Sequence, residues 1–319
     1  MHEFDLINRY FSKLSLKNKS SLKLNDDVFF DKSKNLVISV DTYVEGTHFI
    51  NFKHPNLVIK KILRSSISDL ICKGVNPKYY FISGSGNKSS FTKKNVRIIS
   101  NSLKQEQKKF LISLSGGDTV FSNKLSFTII TLGYSEKIIL RNNAKINDDI
   151  YVTGNLGDSF IGLKVLKKKI ILKKNLKSYF IKKYYHPDLC INITKKLLKF
   201  ANTSIDISDG LISDIDKLIN KQNLSYKLYL KDIPISNNLK KVIKLRKIKK
   251  LSCISQGDDY QILFTAAPSK SRLIKNVFKN SGIKISKIGK IHNNKKKSQI
   301  INEKNVEIRL KNKGYFHKF

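Results

Sequence analysis

Aspartate is the residue type whose spacing in this chain could support chemistry. Of the 24 acidic residues, 18 are Asp and six are Glu, and many of the Asp lie in tight groups. The grouped positions are Asp26-Asp27, Asp41, Asp69, Asp118, Asp148-Asp149, Asp206, Asp209, Asp214, Asp216 and Asp258-Asp259. Short carboxylates are ligands for hard cations such as Mg²⁺, which usually bridge to substrate phosphates. The acidic residues therefore predict a divalent-cation site for a phosphorylated substrate.

Several of these carboxylates are predicted to follow a strand. The stretches are Val40-Asp41-Thr42, Ser115-Gly116-Gly117-Asp118-Thr119 and Ile205-Asp206-Ile207-Ser208-Asp209-Gly210. Strand ends bring side chains from distant segments to one rim, and glycines let a ligand approach the backbone. A lone Asp in such a place is usually a turn former or a helix N-cap, and Asp209 could cap the helix that follows it. Recurrence of the pattern in an acid-poor chain favours a shared site.

Three other features are ambiguous when each is taken alone. Asp69 lies inside a predicted helix, where a carboxylate ordinarily faces solvent. His48 by itself is more often a surface or core histidine than a ligand. The spacing Gly154-x-x-Gly157 between a strand and a helix could place a phosphate at a helix N-terminus, but this spacing is common. No Gly-x-Ser-x-Gly signature is present, so nothing in the sequence indicates a nucleophilic hydrolase.

The elements that must position these residues are of mixed type. Apolar periodicity predicts a helix from Pro55 to about Lys73, ended by Gly74. Further helices are predicted at 91–110, 211–220 and 269–279, and strands at 36–40, 79–83, 111–114, 125–132, 150–153, 204–207, 226–230, 262–266 and 283–291. A polar stretch at 140–149 predicts a boundary between domains at residues 1–145 and 146–319. Strands mixed with helices in this way indicate an α/β and α+β protein.

The net charge of +38 raises the possibility of nucleic-acid binding. Of the 62 basic residues, however, only seven are Arg, the residue best suited to bidentate recognition of bases and phosphates. The lysines spread along most of the chain, and with the abundant Ile and Asn they are typical of an AT-rich genome. We therefore expect solvated lysine faces and regard nucleic acid as an unlikely partner, with a functional basic surface kept as the alternative.

The cysteine content and the hydropathy of the chain indicate in which cellular compartment the protein is expected. Cys72, Cys190 and Cys253 lie far apart, which excludes a disulfide framework and a cysteine zinc site and fits a reducing compartment. No apolar run approaches the length of a membrane span, and the first residues do not have the pattern of a secretory signal. We expect a cytoplasmic protein without a membrane partner.

Taken in chain order, the motifs resemble those of the thiamine-monophosphate kinase family. This family belongs to the superfamily of aminoimidazole ribonucleotide synthetase and selenophosphate synthetase. The resembling segments are Asn25-Asp26-Asp27, Ser39 to Phe49, Ser68-Asp69-Leu70 with Gly74 and Pro77, Gly116 to Thr119, Arg141, Val152 to Ser159, Ile205 to Asp214, Gly257 to Tyr260 and Gly314-Tyr315. They span nearly the whole chain, and the stretches around Asp41 and Asp206 are the most specific of them.

The resemblance implies a fold, a reaction and a set of site residues. The implied fold is the two-domain aminoimidazole ribonucleotide synthetase-like fold, with an N-terminal sheet that pairs across a homodimer. The implied reaction is transfer of phosphate from ATP to thiamine monophosphate, giving thiamine diphosphate by direct in-line displacement assisted by several Mg²⁺ ions. By position, the metal ligands would be Asp27, Asp41, Asp69, Asp118, Asp206 and Asp209, with Ser39 or the Val40 backbone added. ATP would contact Gly117, Asp118, Arg141 and Ser208, and the acceptor would contact His48, Asp258 and Asn312.

Three positions depart from the family pattern. Asn25 stands where a Gly usually precedes the Asp pair, Asp258 replaces a longer Glu, and Asn312 falls where an aromatic residue is usual. Two of these departures concern the acceptor, so substrate affinity is less secure than metal binding. Two alternatives remain. The first is ATP-dependent ring closure on a ribonucleotide, which the motif containing His48 opposes. The second is a basic nucleic-acid-binding protein, or a kinase decayed into a binding module, which the net charge supports and the shortage of Arg opposes.

Overall fold

The computed structural model describes residues 3–295, 297–308 and 314. Helices and strands alternate along the chain. The helices are α1 (Glu3–Leu6), α2 (Pro55–Cys72), α3 (Lys93–Phe110), α4 (Asp158–Leu166), α5 (Lys174–Tyr185), α6 (Thr194–Leu197), α7 (Leu211–Leu218), α8 (Asn237–Arg246), α9 (Lys250–Ile254) and α10 (Ser271–Ser281). The strands are β1 (Phe29–Asp31), β2 (Leu36–Val44), β3 (Pro77–Gly86), β4 (Ser113–Phe121), β5 (Ser126–Tyr134), β6 (Asp149–Thr153), β7 (Thr203–Asp206), β8 (Leu224–Tyr229), β9 (Ile262–Ala266), β10 (Ile285–Asn293) and β11 (Gln299–Ile301).

The first sheet has five strands in the order β1-β2-β5-β3-β4. All neighbours are antiparallel except β3 and β4, which run parallel. Helix α2 packs on one face of the sheet, against β2 and β5, and α3 packs against α2. Strand β4 forms one edge, and every one of its residues is exposed. The sheet is therefore covered on its α2 face and has an accessible edge.

The second sheet has six strands in the order β11-β8-β10-β6-β9-β7. It is antiparallel except for the pair β8 and β11. The first sheet ends at Tyr134 and the second begins at Asp149, so the predicted domain boundary at residue 145 falls in the connection between them. Strand β7 lies at the edge of the second sheet, and α2 contacts it. This contact joins the two halves of the chain.

Helix α2 lies at the centre of the molecule. Pro55 begins it, at a position where the missing N–H costs no hydrogen bond, and Gly74 follows it with a φ of +82°. Val58, Ile62 and Leu63 are fully buried, and polar residues on other sides of the helix, such as Lys61 and Ser66, are buried as well, whereas Asn56 near its start is exposed. A helix buried over most of its surface belongs to the core. Because side chains of both halves pack around α2, one continuous core spans them.

The structure confirms the predicted fold class and the extent of α2, and it corrects two strand boundaries. The prediction ended β2 before Asp41, but the strand pairs with β5 as far as Val44. It also ended β4 at Leu114, whereas Gly116, Gly117 and Asp118 continue the strand beside β3. Asp and Gly are unfavourable in strands, and here pairing with a neighbouring strand outweighs that preference. Among the described residues, no helix is long and apolar enough to cross a membrane.

Candidate active site

A cleft of about 680 Å³ brings together most of the residues singled out from the sequence. Its walls come from both halves of the chain, with α2 and β2 on one side and the segments after β7 and before β9 on the other. The predicted site residues that line it are Asp27, Val40, Asp41, His48, Asp69, Arg141, Asp206, Ser208, Asp209 and Asp258. Ser39 joins them through a hydrogen bond of 2.5 Å from its Oγ to Asp69 Oδ2.

Asp41, Asp69 and Asp206 form an electrostatically coupled group at the centre of the cleft. They come from β2, α2 and the end of β7. Burial raises the pKa of Asp69 well above its ordinary value, and the negative charges of Asp41 and Asp206 raise it further. Burial likewise raises the pKa of Asp41, and burial together with neighbouring carboxylates raises that of Asp206 to about 6. Carboxylates that destabilise one another in this way form a favourable environment for a cation.

Hydroxyl groups add neutral oxygen atoms to this carboxylate group. Ser39 Oγ donates to Asp69, Ser68 Oγ donates to Asp206, and the Tyr43 hydroxyl donates to Asp41 Oδ2 at 3.2 Å. This donor set of carboxylates and hydroxyls has the chemistry that Mg²⁺ prefers, so the residues present fit such an ion. Within the described part of the chain, no three His, Cys, Asp or Glu side chains are arranged as one closed metal site.

Asp27, the first predicted metal ligand, is held by two cations. Lys73 Nζ lies 2.9 Å from Asp27 Oδ2 and 2.7 Å from Asp26 Oδ1, and it also donates to the Ser204 carbonyl oxygen. The Arg141 guanidinium pairs with both oxygens of Asp27. Burial opposes the charge on Lys73, yet its pKa is raised because Asp26 stabilises the ammonium. The structure thus joins a predicted metal ligand to a predicted ATP ligand.

Asp209 is also paired with a lysine. The Lys217 ammonium contacts the Asp209 carboxylate and lies 2.8 Å from Asp214 Oδ1. Asp214 Oδ2 in turn accepts from the backbone N–H groups of Asp209 and Gly210, which fixes the turn that precedes α7. These carboxylates raise the pKa of Lys217 although its burial opposes the charge. Lys217 therefore supplies a permanent positive charge at this end of the cleft.

Two of the predicted acceptor residues, His48 and Asp258, line the same cleft. His48 Nδ1 accepts from the Val44 backbone N–H at 3.0 Å, and the imidazole packs edge-on against the Tyr43 ring. Asp258 is in the left-handed region, with a φ of +68°. Gly257 brings this segment against the residues after β7, because a Cβ at position 257 would lie 1.7 Å from the Ser208 carbonyl oxygen. The close contact holds Asp258 facing the cleft.

The structure does not bring Gly117 and Asp118 into this cleft. Both lie on the exposed edge strand β4, and the described lining of the cleft includes neither. Asp118 is aligned with Thr42 across the sheet through Ser83 and Thr128. Neighbouring residues on a strand point to opposite faces, so Asp118 shares the face of Thr42 and not that of Asp41. Asn312, the third predicted acceptor residue, lies outside the described residues.

The Gly154-x-x-Gly157 segment has a structural explanation in place of the phosphate site considered from sequence. It leads into α4, and the Asp259 carboxylate accepts from the Gly157 backbone N–H at 2.8 Å. This carboxylate occupies the position where a phosphate would meet the helix N-terminus. Burial raises the pKa of Asp259 well above its ordinary value. Asp259 therefore caps α4 and holds the loop next to Asp258.

Sequence reasoning missed the lysines that serve the site. Lys61, Lys73 and Lys217 were not distinguished from the many lysines of the solvated surface. A signal for Lys61 was nevertheless present, because the apolar residues around it, such as Ile59 and Ile62, cover more than one side of α2. A lysine in a helix buried over most of its surface must pair with an anion or line a cavity.

The two-sheet architecture and the cleft define a protein of the AIR synthase related class. Residues 25–135 match the family described as AIR synthase related protein, N-terminal domain. In three-dimensional comparison, AaThiL complexed with AMPPCP and TMP superposes with a TM-score of 0.86 at 25% identity, covering 99% of this chain and 97% of that chain. The thiamine monophosphate kinase structure from Stenotrophomonas maltophilia K279a gives a TM-score of 0.76 at 21% identity, covering 94% and 96%.

Sequence comparison identifies the family within this class. The thiamine-monophosphate kinase of Buchnera aphidicola subsp. Schizaphis graminum is 34% identical, over 99% of this chain and 98% of that protein. The enzyme of the same name from Haemophilus influenzae is 32% identical, over 92% and 90%. The chain belongs to the thiamine-monophosphate kinase family, which confirms the resemblance drawn from its motifs.

Proposed function

We propose that the protein transfers the terminal phosphate of ATP to thiamine monophosphate and so produces thiamine diphosphate. Membership of the thiamine-monophosphate kinase family supports the reaction. The observation that carries the chemistry is the coupled group of Asp41, Asp69 and Asp206. Mutually destabilised carboxylates in a cleft are suited to binding divalent cations together with polyphosphate.

Mg²⁺ ions would be held by Asp41, Asp69 and Asp206, with Ser39, the Val40 backbone, Asp27 and Asp209 at the margins. When bound, these ions would neutralise the phosphates and align the displacement. The acceptor is itself a phosphate whose second pKa is about 6, so it is largely anionic at neutral pH and needs no strong general base. The protein's task is to bring two polyanions together.

Positively charged side chains of the cleft would contribute to that task. Arg141 is held by Asp27, so its guanidinium is oriented before ATP arrives. Lys164, Lys167 and Lys169 line the same cleft as Lys217. We assign Arg141 and Ser208 to ATP, as the family pattern implies, and the lysines to the excess negative charge of two substrates. Transfer would be direct, with no phosphoenzyme.

We further propose a homodimer in which the exposed edge strand β4 and the open face of the first sheet meet a second copy. Apolar side chains on this surface support the proposal, because Val40 is 60% exposed and Phe121 is 74% exposed. Gly117 and Asp118, which lie outside the cleft of their own chain, would then complete the site of the other subunit. The domains would be residues 1–145 and 146–319, and three buried free cysteines favour the cytoplasm.

The proposed function is tested by measuring ADP release from ATP and Mg²⁺, with and without thiamine monophosphate. Thiamine diphosphate is identified by chromatography. Turnover that requires both thiamine monophosphate and Mg²⁺ is expected. A folded protein that binds ATP but forms no thiamine diphosphate would refute the proposal.

A further inference from the structure

Lys61 is a buried cation beside the predicted acceptor residues. Its side chain is 1% exposed, and its ammonium lies 2.7 Å from Asp258 Oδ1. On another side, the nitrogen lies 3.5 Å from the centroid of the Tyr184 ring. Among the described residues, the ammonium makes this ion pair but no well-directed hydrogen bond. A lysine is rarely buried so completely unless it serves a specific partner.

The partner of Lys61 is a carboxylate at the surface of the cleft. The Asp258 side chain is 27% exposed and lines the cleft, whereas Lys61 lies behind it. The Tyr260 hydroxyl donates to the same oxygen, Oδ1, at 3.1 Å. The Lys61 ammonium and the Tyr260 hydroxyl therefore hold Oδ1, and Oδ2 is the oxygen that can accept from a bound molecule. Lys61 is too deeply buried to meet that molecule itself.

The chemistry of the acceptor indicates which of its ends would meet Asp258. Thiamine monophosphate has a phosphate at one end, while its heterocycles carry a positive charge and N–H donors. A carboxylate repels the phosphate and attracts the cationic, N–H-donating end. The rings of Tyr43, His48 and Tyr260 line the same part of the cleft and could pack against a flat heterocycle.

We propose that Lys61 is a positioning residue for the phosphoryl acceptor. It fixes the Asp258 carboxylate so that Oδ2 receives the heterocyclic end of thiamine monophosphate. Asp stands here where the family pattern has the longer Glu, and its carboxylate lies within reach of Lys61 on α2. This inference rests on the proposed function and names the residues that select the acceptor.

The test compares steady-state kinetics of Lys61→Met, Asp258→Asn and the double variant with those of the wild-type protein. For Lys61→Met, we expect the KM for thiamine monophosphate to rise about 10- to 100-fold, because an unpaired carboxylate loses its fixed position. The KM for ATP should stay within about two-fold, since the Lys61 ammonium contacts Asp258 and Tyr184 and neither of the residues assigned to ATP, Arg141 and Ser208. The double variant should match Asp258→Asn alone, because Lys61 acts through Asp258.

Lys60→Met is the matched control, since Lys60 is the neighbouring residue on α2 and hydrogen-bonds to Gln105 on α3 instead. It should leave both KM values unchanged. If Lys61→Met does not fold, the double variant is compared with Asp258→Asn instead, because it leaves no carboxylate without its ammonium partner.

Three results would overturn the inference. They are a lower melting temperature for Lys61→Met with an unchanged KM for thiamine monophosphate, an equal rise in both KM values, and a double variant weaker than Asp258→Asn. Each requires a wild-type protein that forms thiamine diphosphate. A wild-type protein that forms none would refute the proposed function and, with it, this inference.

Discussion

Asp41 and Asp118 lie on opposite faces of the same sheet, although the family pattern implies that both are metal ligands. They belong to β2 and β4, which β5 and β3 separate, a distance of three strand spacings or about 14 Å. Asp41 faces α2, whereas Asp118 lies on the open face at the edge of the sheet. Within one chain the two carboxylates cannot hold the same ion.

Together with the proposed homodimer, this separation predicts complementation between inactive subunits. Asp41→Asn and Asp118→Asn homodimers should each lose turnover. When the two proteins are mixed, unfolded and refolded together, half of the dimers are mixed and each contains one site with both carboxylates. Activity should recover to about a quarter of the wild-type value. Recovery is measured as ADP release, and mixtures that stay inactive would place Asp118 outside the partner's site.

Asp69→Asn should abolish turnover and stabilise the Mg²⁺-free protein. The variant removes a charge that burial and the carboxylates of Asp41 and Asp206 destabilise. We expect a gain of about 0.5–2 kcal/mol in the free energy of unfolding without Mg²⁺. The gain in melting temperature that Mg²⁺ gives the wild-type protein should shrink.

Asp31→Asn is the control for this experiment, because Asp31 bonds locally to Ser33 and does not line the cleft. It should keep both turnover and the response to Mg²⁺. An Asp69→Asn protein that is less stable than the wild type would show that Asp69 is mainly a structural residue.

Lys73→Met should destabilise the fold strongly. Lys73 is fully buried and holds Asp26, Asp27 and the Ser204 carbonyl oxygen, so its loss leaves buried carboxylates unpaired. The expected cost is about 3–5 kcal/mol, measured by urea unfolding. Lys78→Met on β3 serves as the control, since Lys78 is exposed. A cost for Lys73→Met as small as that of the control would mean that water already screens this cluster.

His186 predicts part of the pH dependence of stability. Burial and the nearby charges of Arg64 and Lys60 lower its pKa from 6.5 to about 4. The folded state thus disfavours the imidazolium, so this histidine stabilises the fold above the unfolded pKa. That contribution is lost as the pH falls from about 6.5 through about 4.

The measurement compares urea unfolding of the wild-type protein and His186→Gln at several pH values. The wild-type protein should lose more stability than the variant on acidification, since only the wild type gains a proton there on unfolding. Parallel losses of stability in the two proteins would contradict the lowered pKa.

Most residues that line the cleft could be predicted from the sequence, whereas the limits of some strands that hold them could not. Pro55 begins α2 and Gly74 follows its end, and both act through local backbone chemistry. The limits of this helix could therefore be predicted from the sequence. The ends of β2 and β4 could not be predicted in this way. Pairing with strands that are distant in sequence extends β2 past Asp41 and β4 past Gly116 and Gly117. Tertiary pairing of this kind leaves no local pattern.

The buried lysines show a different limit of sequence reasoning. In a chain this rich in lysine, composition alone does not distinguish Lys61 and Lys73 from the exposed lysines. Only the fold shows which lysines contact a carboxylate. The face of Asp118 was equally unpredictable, because it depends on register across four strands. Motif position singled out Asp118 as a candidate metal ligand but could not show on which face of the sheet it lies.

Helix α2 also sets a fixed distance between two positions in the site. Lys61 and Asp69 are eight residues apart on it, which corresponds to about 12 Å along the axis. With the acceptor held as proposed, its heterocycle lies at the end of the cleft near Lys61 and its phosphate lies at the carboxylates around Asp69. Thiamine without a phosphate would be too short to reach those carboxylates, and thiamine diphosphate would extend past them. Because the rise per residue of an α-helix is fixed, the distance between these two positions does not change. The cleft would then distinguish thiamine, its monophosphate and its diphosphate by their length.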